Sequence, residues 1–317
     1  MLIFTHWKPI TIGDSKMKRR DFLSLTTLAA GTAALTSVTK AHAQNAAPAG
    51  ADPVWVPLTK DVKTTRVGFG TGMRGWQRRS DMIRMGYPKA IELLRFAYDS
   101  GIRLFDCADL YGTHDVVAEA LKDKPRDSYV LVSKMWLLPN GLPEVERLDP
   151  QVTIKRFLQE TRSKYIDLVQ IHCMSSGKWS EEFAGAMESL AKLKQEGVIR
   201  AHGVSTHSNA AVELAAKTDW CDVVHVRINS EGMHMDGPRD DAAKRVEETV
   251  RTTKLAHDAG KGVIAMKVLG QGDMASNPAM RLKSTKFVKN LGTVNAMIVG
   301  FDEKAQITEF LTNVASA

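Results

Sequence analysis

Three cysteines in 317 residues are too few for a disulfide framework, and an odd number cannot all pair internally. Cys107, Cys173 and Cys221 also lack zinc-ligand spacing, so no metal is expected. Long apolar runs are missing too. The best candidate, from Phe22 to Val38, is broken by Thr, Ser and Gly and is too polar and short for a membrane span. No Gly-x-Gly-x-x-Gly turn follows the first predicted strand, where Gly68-Phe69-Gly70-Thr71-Gly72 stands instead, which argues against a doubly wound open sheet. Nor does that strand carry the His-x-His of a metal-dependent barrel hydrolase, since it reads Val67-Gly68-Phe69.

Acidic charge is the other shortage. The 36 Asp and Glu residues face 43 Lys and Arg, for a net charge of +7 and a pI of about 9.2. Such an excess raises nucleic acid or anionic membrane as partners. Its location removes both: Lys8, Lys16, Lys18, Arg19, Arg20 and Lys40 lie in the first 43 positions against only Asp14 and Asp21, and the remainder carries +3. With 44% hydrophobic and 25% charged residues, the whole chain has the composition of a globular protein.

The basic N-terminus reads as an address. Lys18-Arg19-Arg20 precedes the mild apolar run, and Ala41-His42-Ala43 supplies a small-x-small cleavage pattern, placing cleavage after Ala43. Arg19-Arg20 followed by Asp21-Phe22-Leu23 resembles a twin-arginine export signal. Residues 1–43 are thus expected to be a leader, with Met17 as a natural start, and residues 44–63 a lead-in segment. The expected location is the periplasm and the expected partner the twin-arginine translocation machinery, with no stable membrane anchor.

From residue 64 onward short β-branched runs alternate with helical patterns. Strands are predicted at Arg66–Gly70, Arg103–Asp106, Tyr129–Lys134, Ile166–His172, Ile199–Ser205, Val223–Ile228, Val263–Lys267 and Val294–Val299. Amphipathic helices are predicted over stretches such as Lys89–Ser100, Pro150–Lys164, Glu181–Glu196, Asp241–Ala259 and Glu303–Val314. Eight β-α repeats favour closure into a (β/α)8 TIM barrel over residues 64–317.

In such a barrel the chemistry collects at the C-terminal strand ends. Asp106, Lys134, His172 and Ser205 fall there on four successive strands, and Tyr111 stands five residues past Asp106 on the loop over the mouth. For any one of these residues a buried ion pair or a satisfied core histidine is the simpler reading. Together they make a site for protonating a carbonyl oxygen: Lys134, neutralised in part by Asp106, is expected to lower the pKa of Tyr111, and His172 to orient the carbonyl.

The motif Asp-x-Ala-x-x-Tyr-Gly at Asp106–Gly112, the strand-end Lys134 and His172, and Gly203-Val204-Ser205 together resemble the aldo-keto reductase family over essentially all of residues 64–317. The resemblance implies a barrel reducing a small carbonyl substrate with NADP or NAD, and a monomer is expected by default. Tyr111 would be the general acid and base, Lys134 and Asp106 its tuning pair, and His172 the orienting group. Ser205 would bind the nicotinamide carboxamide.

Cofactor positions match the family less closely. Thr206 stands where Asn is usual, His225 where Gln is common, and Met266, followed by Lys267, where many members carry an aromatic ring. In the segment that grips the adenosine phosphate, Phe301 replaces Ser and Gln306 replaces Arg. Lys304 there is flanked by Asp302 and Glu303, which disfavour a 2′-phosphate. These departures admit a second reading, a dinucleotide-binding barrel serving as a sensor or partner subunit with little turnover. Trp76, Met135, Trp136, Leu137 and Leu138 are expected over the mouth, with His202, Cys107 and Cys173 packed outward under the helices.

Overall fold

A computed structural model describes residues 53–317, so the leader expected over 1–43 lies outside the described residues. The chain opens with a short antiparallel hairpin, β1 (Trp55–Pro57) and β2 (Lys63–Thr65). Eight further strands follow: β3 (Val67–Gly70), β4 (Leu104–Asp106), β5 (Val130–Met135), β6 (Ile166–Met174), β7 (Ile199–Thr206), β8 (Val223–Arg227), β9 (Gly262–Met266) and β10 (Ala296–Val299). All eight pair in parallel and in sequence order, and β10 returns to β3 to close the barrel. Each matches a strand predicted from the sequence to within two residues at either end.

Period-two alternation sorts the strand residues into two shells. Leu104, Val132, Leu168, Val223, Ile264 and Ala296 fill the barrel interior. Their neighbours Phe105, Leu131, Val169, Val224, Val263 and Met297 point outward and pack beneath the helices. In the helix Tyr87–Asp99, Ala90, Leu93, Leu94 and Ala97 lie on the buried face, and Gly101 stops the chain in the left-handed region at φ 94°.

Two sequence expectations shift. Residues 54–63, read as lead-in, contribute the hairpin that plugs the barrel floor: Leu58 and Val62 are buried against Leu104, Val130 and Ile264. A Cβ at Gly262 would sit 2.3 Å from the Leu58 carbonyl oxygen, so the plug seats only against a glycine. The helix predicted to Lys164 ends at Glu160, because Arg162 turns left-handed at φ 49°.

Candidate active site

The interior of the barrel's C-terminal mouth holds a buried ion pair. Asp106 ends β4 and Lys134 lies on β5. The Lys134 ammonium donates to Asp106 Oδ1 at 2.5 Å and to the Cys107 carbonyl at 3.0 Å, with both side chains at most 2% exposed. Two such contacts fix the ammonium beneath the loop that follows β4. That loop makes a tight turn over Asp109–Tyr111 and stops at Gly112, φ 69°, where a Cβ would lie 2.2 Å from the Arg78 carbonyl oxygen. Asp109 ties it down, accepting from Arg78 at 2.8 Å and from Arg156 at 2.6 Å.

Tyr111 is thereby aimed inward. Its hydroxyl lies 3.3 Å from His172 Nε2, and the Lys134 ammonium lies 5.0 Å from its ring centroid. The tetrad expected from the sequence is therefore one cluster. The expected pKa of Tyr111 needs correction. Burial first, and then the Asp106 carboxylate, raises it well above the ordinary phenol value. Tyr111 remains a protonated donor. His172 is held neutral, well below its usual pKa, by burial and by the Lys134 charge.

Gly72 and Gly75 were not singled out by sequence reasoning, yet they make the bed for Tyr111. A Cβ at Gly72 would lie 2.2 Å from Tyr111 Cζ, and one at Gly75 would lie 2.7 Å from Cδ1. The glycine-rich stretch after β3 was legible; its partner, a ring contributed forty residues later, was not.

A cavity of about 730 Å³ opens above this cluster and runs across the barrel mouth toward the helix Lys304–Ala315. One wall is apolar: Leu110, Trp76, Trp136 and Leu138, with Trp76 set edge-on to Trp136 and Trp136 edge-on to His172. Met135 and Leu137, expected beside them, pack instead into the core under the helices. Met266, Lys267, Phe301 and Gln306 line the rest of the cleft, together with Arg281.

The other expected cofactor residues sit elsewhere. Ser205 is buried, and its Oγ accepts the Cys173 N–H at 2.9 Å. Thr206 is buried too, donating to the His225 carbonyl at 2.8 Å. His225 is wholly inside the barrel, its Nε2 3.5 Å from Asp106 Oδ1. Lys304 turns away from the cavity to pair with Glu92 at 2.5 Å, over the Phe96 ring. Gln306 lines the cleft, but its Oε1 accepts from the N–H groups of Asp302 and Glu303 at 2.7 and 3.2 Å, completing a capping box.

Cys173 also departs from its expected place. A bulge between Ile171 and Met174, with Cys173 at φ 63°, breaks the alternation of β6. The thiol therefore meets the cavity, 3.4 Å from His207 Nε2. Cys107, just past the end of β4, stays in the outer core as predicted, and His202 stacks on Trp220 outside the barrel.

Comparison with known proteins agrees with this architecture. The model of the aldo/keto reductase family matches residues 66–312, and the chain belongs to that family. It is 29% identical over 170 residues to the uncharacterized oxidoreductase YqkF of Bacillus subtilis, a match covering 51% of each chain. The chain thus spans about half the length of the curated relatives it matches. Among solved structures it is similar to the holo form of aldo-keto reductase AKR11C1 from Bacillus halodurans, with a TM-score of 0.62, 20% identity, and coverage of 83% of this chain and 91% of that one. An aldo/keto reductase from Klebsiella pneumoniae, solved in complex with NADP and acetate, gives a TM-score of 0.58 at 17% identity, covering 83% of this chain and 90% of that one.

Proposed function

We propose that the chain is an exported NADP- or NAD-dependent aldo-keto reductase that reduces an aldehyde or ketone. The observation that carries this reading is the convergence of Tyr111 and His172 at 3.3 Å above the Asp106–Lys134 pair, at the head of a long cleft. The cleft fits an extended anionic dinucleotide: Met266, Val268 and Leu269 give it an apolar side and Lys267 gives it a cation, while Arg281 is paired with Glu309. When bound, the dinucleotide supplies the hydride. The Klebsiella relative solved with NADP supports that choice of cofactor.

Tyr111, kept protonated by its surroundings, gives its proton to the carbonyl oxygen as charge develops there. Neutral His172 brings Nε2 to the same point and orients that oxygen. The Asp106–Lys134 pair fixes the electrostatic floor under the ring, and the tryptophan wall excludes water from the reacting carbon. With Lys304 turned outward and Gln306 occupied as a cap, no cation on that segment selects a 2′-phosphate. Titration of the purified protein with NADPH and NADH, followed by a panel of carbonyl compounds, tests the reading; absence of dinucleotide-dependent reduction across the panel removes it.

The twin-arginine pattern at Arg19-Arg20 supports export of a folded monomer to the periplasm by the twin-arginine machinery. Because that route carries folded proteins, the cofactor is loaded before export and retained. Mass spectrometry of the protein purified from the periplasm finds a bound dinucleotide if so, and an empty protein overturns the retention. One observation favours a second reading, a dinucleotide sensor or partner subunit. Ser205 and Thr206 spend their hydroxyls inside the fold, and His225 is sealed within the barrel. Tight dinucleotide binding without turnover in the same panel selects that reading.

A further inference from the structure

The loop that carries Tyr111 is held at more points than its turn and Asp109. Beyond Gly112 the chain enters the helix His114–Leu121, whose first side chain is buried. His114 Nδ1 lies 2.6 Å from Glu160 Oε2, and its Nε2 lies 2.8 Å from the Ser133 hydroxyl. Arg156 continues the chain of contacts, donating to Glu160 Oε1 at 2.7 Å and to Asp109 Oδ2 at 2.6 Å. Ser133, His114, Glu160, Arg156 and Asp109 thus form one continuous path of hydrogen bonds outside the barrel wall. Burial works against ionisation of Glu160, but the His114 and Arg156 contacts outweigh it and hold the carboxyl down to about 2. An ionised carboxylate only accepts, so His114 Nδ1 carries the proton.

Serine, histidine and a carboxylate in this order form the array that activates a nucleophile in hydrolases. Here the hydroxyl has nothing to attack. Ser133 is fully buried, neither it nor His114 lines the cavity, and the Phe157 ring centroid lies 4.6 Å from that of the imidazole. A buried ionic chain of this kind is often no more stable than well-packed apolar residues of similar volume. What a fully bonded chain supplies is a single geometry. Its end points show which one. Ser133 and Lys134 are neighbours on β5 and face opposite sides of the strand. Inside the barrel, Lys134 donates to the Cys107 carbonyl; outside it, Ser133 holds His114. One grip falls four residues before Tyr111 and the other three residues after it, with Asp109 held between them.

We propose that His114, held by Glu160, is a positioning residue for the carbonyl site: it locks the Tyr111 loop to β5 and keeps the phenol hydroxyl at His172. Its effect on rate rests on the reductase reading; its effect on the ring does not.

The first readout therefore needs no turnover. In the full chain with tyrosine carbon-13-labelled at the hydroxyl-bearing ring carbon, the Tyr111 resonance is identified by its loss in Tyr111→Phe. It should move in Glu160→Ala and in Ser133→Ala, while those of Tyr98 and Tyr165 stay in place. In Glu160→Gln, whose amide oxygen still accepts from Nδ1, it should keep the wild-type position. Ser133→Ala deletes one atom and carries the same test should Glu160→Ala fail to fold. In steady-state assay, kcat should fall about tenfold or more in Glu160→Ala and less in Ser133→Ala, with KM and NADPH affinity held within about twofold, because the path touches neither ligand. Glu160→Gln should retain most of the rate. A Tyr111 resonance unmoved in both alanine variants overturns the positioning role, as does a moved resonance with unchanged kcat or an equal loss of kcat in Glu160→Gln. A resonance that moves in a protein reducing no aldehyde keeps the lock on the ring and removes the reductase reading.

Discussion

The two halves of the barrel mouth are built on different terms. On β4 to β6, Asp106, Lys134 and His172 point where strand alternation sends them, and each meets the partner its chemistry calls for: carboxylate with ammonium, imidazole with phenol. On β7 to β9 and the last helix, side chains of similar polarity are consumed by the fold itself. Ser205 caps a bulged backbone, Thr206 holds a neighbouring strand, Gln306 caps its helix and Lys304 faces outward. What remains open to the cavity there is mixed: Lys267, and Arg281 already paired with Glu309 at 2.8 Å. The contrast teaches that residue type identifies a reacting group when burial leaves it one partner, and misidentifies a binding group when backbone donors and acceptors compete for it.

The sharpest way to test the first half is to remove its proton. Tyr111→Phe keeps the ring on its glycine bed and loses the donor, so kcat should fall by about 10²–10⁴ with dinucleotide affinity unchanged. Stopped-flow or steady-state assay decides this, and unchanged turnover breaks the assignment. Gly72→Ala attacks the same half through geometry alone. The new methyl would lie 2.2 Å from Tyr111 Cζ, so the ring must move, and a displacement near 1 Å costs about 10²-fold in rate. A normal kcat in this variant would show that the ring position is not what sets the rate.

The eight strands were legible because each is a short β-branched run with one face in the barrel, a pattern that helices do not imitate. Asp106, Lys134 and His172 were legible for the same reason, since parity put their strands' polar ends at one mouth, and Tyr111 was legible from its spacing to Asp106 on the loop that follows. The hairpin was not, because only Leu58 and Val62 of its residues carry the signal that it plugs the floor. Cys173 was misplaced because a bulge leaves no periodic trace. The role of Gln306 could have been found: Glu303 three residues before Gln306 is the spacing of a capping box, a helix-start signal that competed with the phosphate-binding reading and won.

Acid should reveal the neutral histidine of the second half. His207 is pushed down to about 3 by burial and by the nearby Arg227 and Lys267 charges, while in the unfolded chain it titrates near the usual ~6.5. Below that value the unfolded state binds a proton the folded state refuses, so stability falls with falling pH by about 1.4 kcal/mol per pH unit for this group. Denaturant midpoints of the wild type and His207→Asn, compared from pH 7 to pH 5, should diverge in slope by about one proton. Parallel curves would mean that His207 reaches water in the folded protein.

The smallest effects discriminate best between a cap and a ligand. Gln306→Ala removes an acceptor from two backbone N–H groups and should cost about 1 kcal/mol of stability, read as a shifted denaturant midpoint. Lys304→Met breaks an ion pair with the exposed Glu92 and should leave the denaturant midpoint almost unchanged. If both side chains belong to the fold, Lys304→Met leaves the affinities for NADPH and NADH unchanged, and Gln306→Ala changes them only equally. A selective loss of NADPH binding in Lys304→Met would mean that its ammonium leaves Glu92 for the 2′-phosphate once the cofactor arrives. That result would erase the contrast between the two halves, because the second half would then hold its binding group in reserve on a surface ion pair weak enough to exchange.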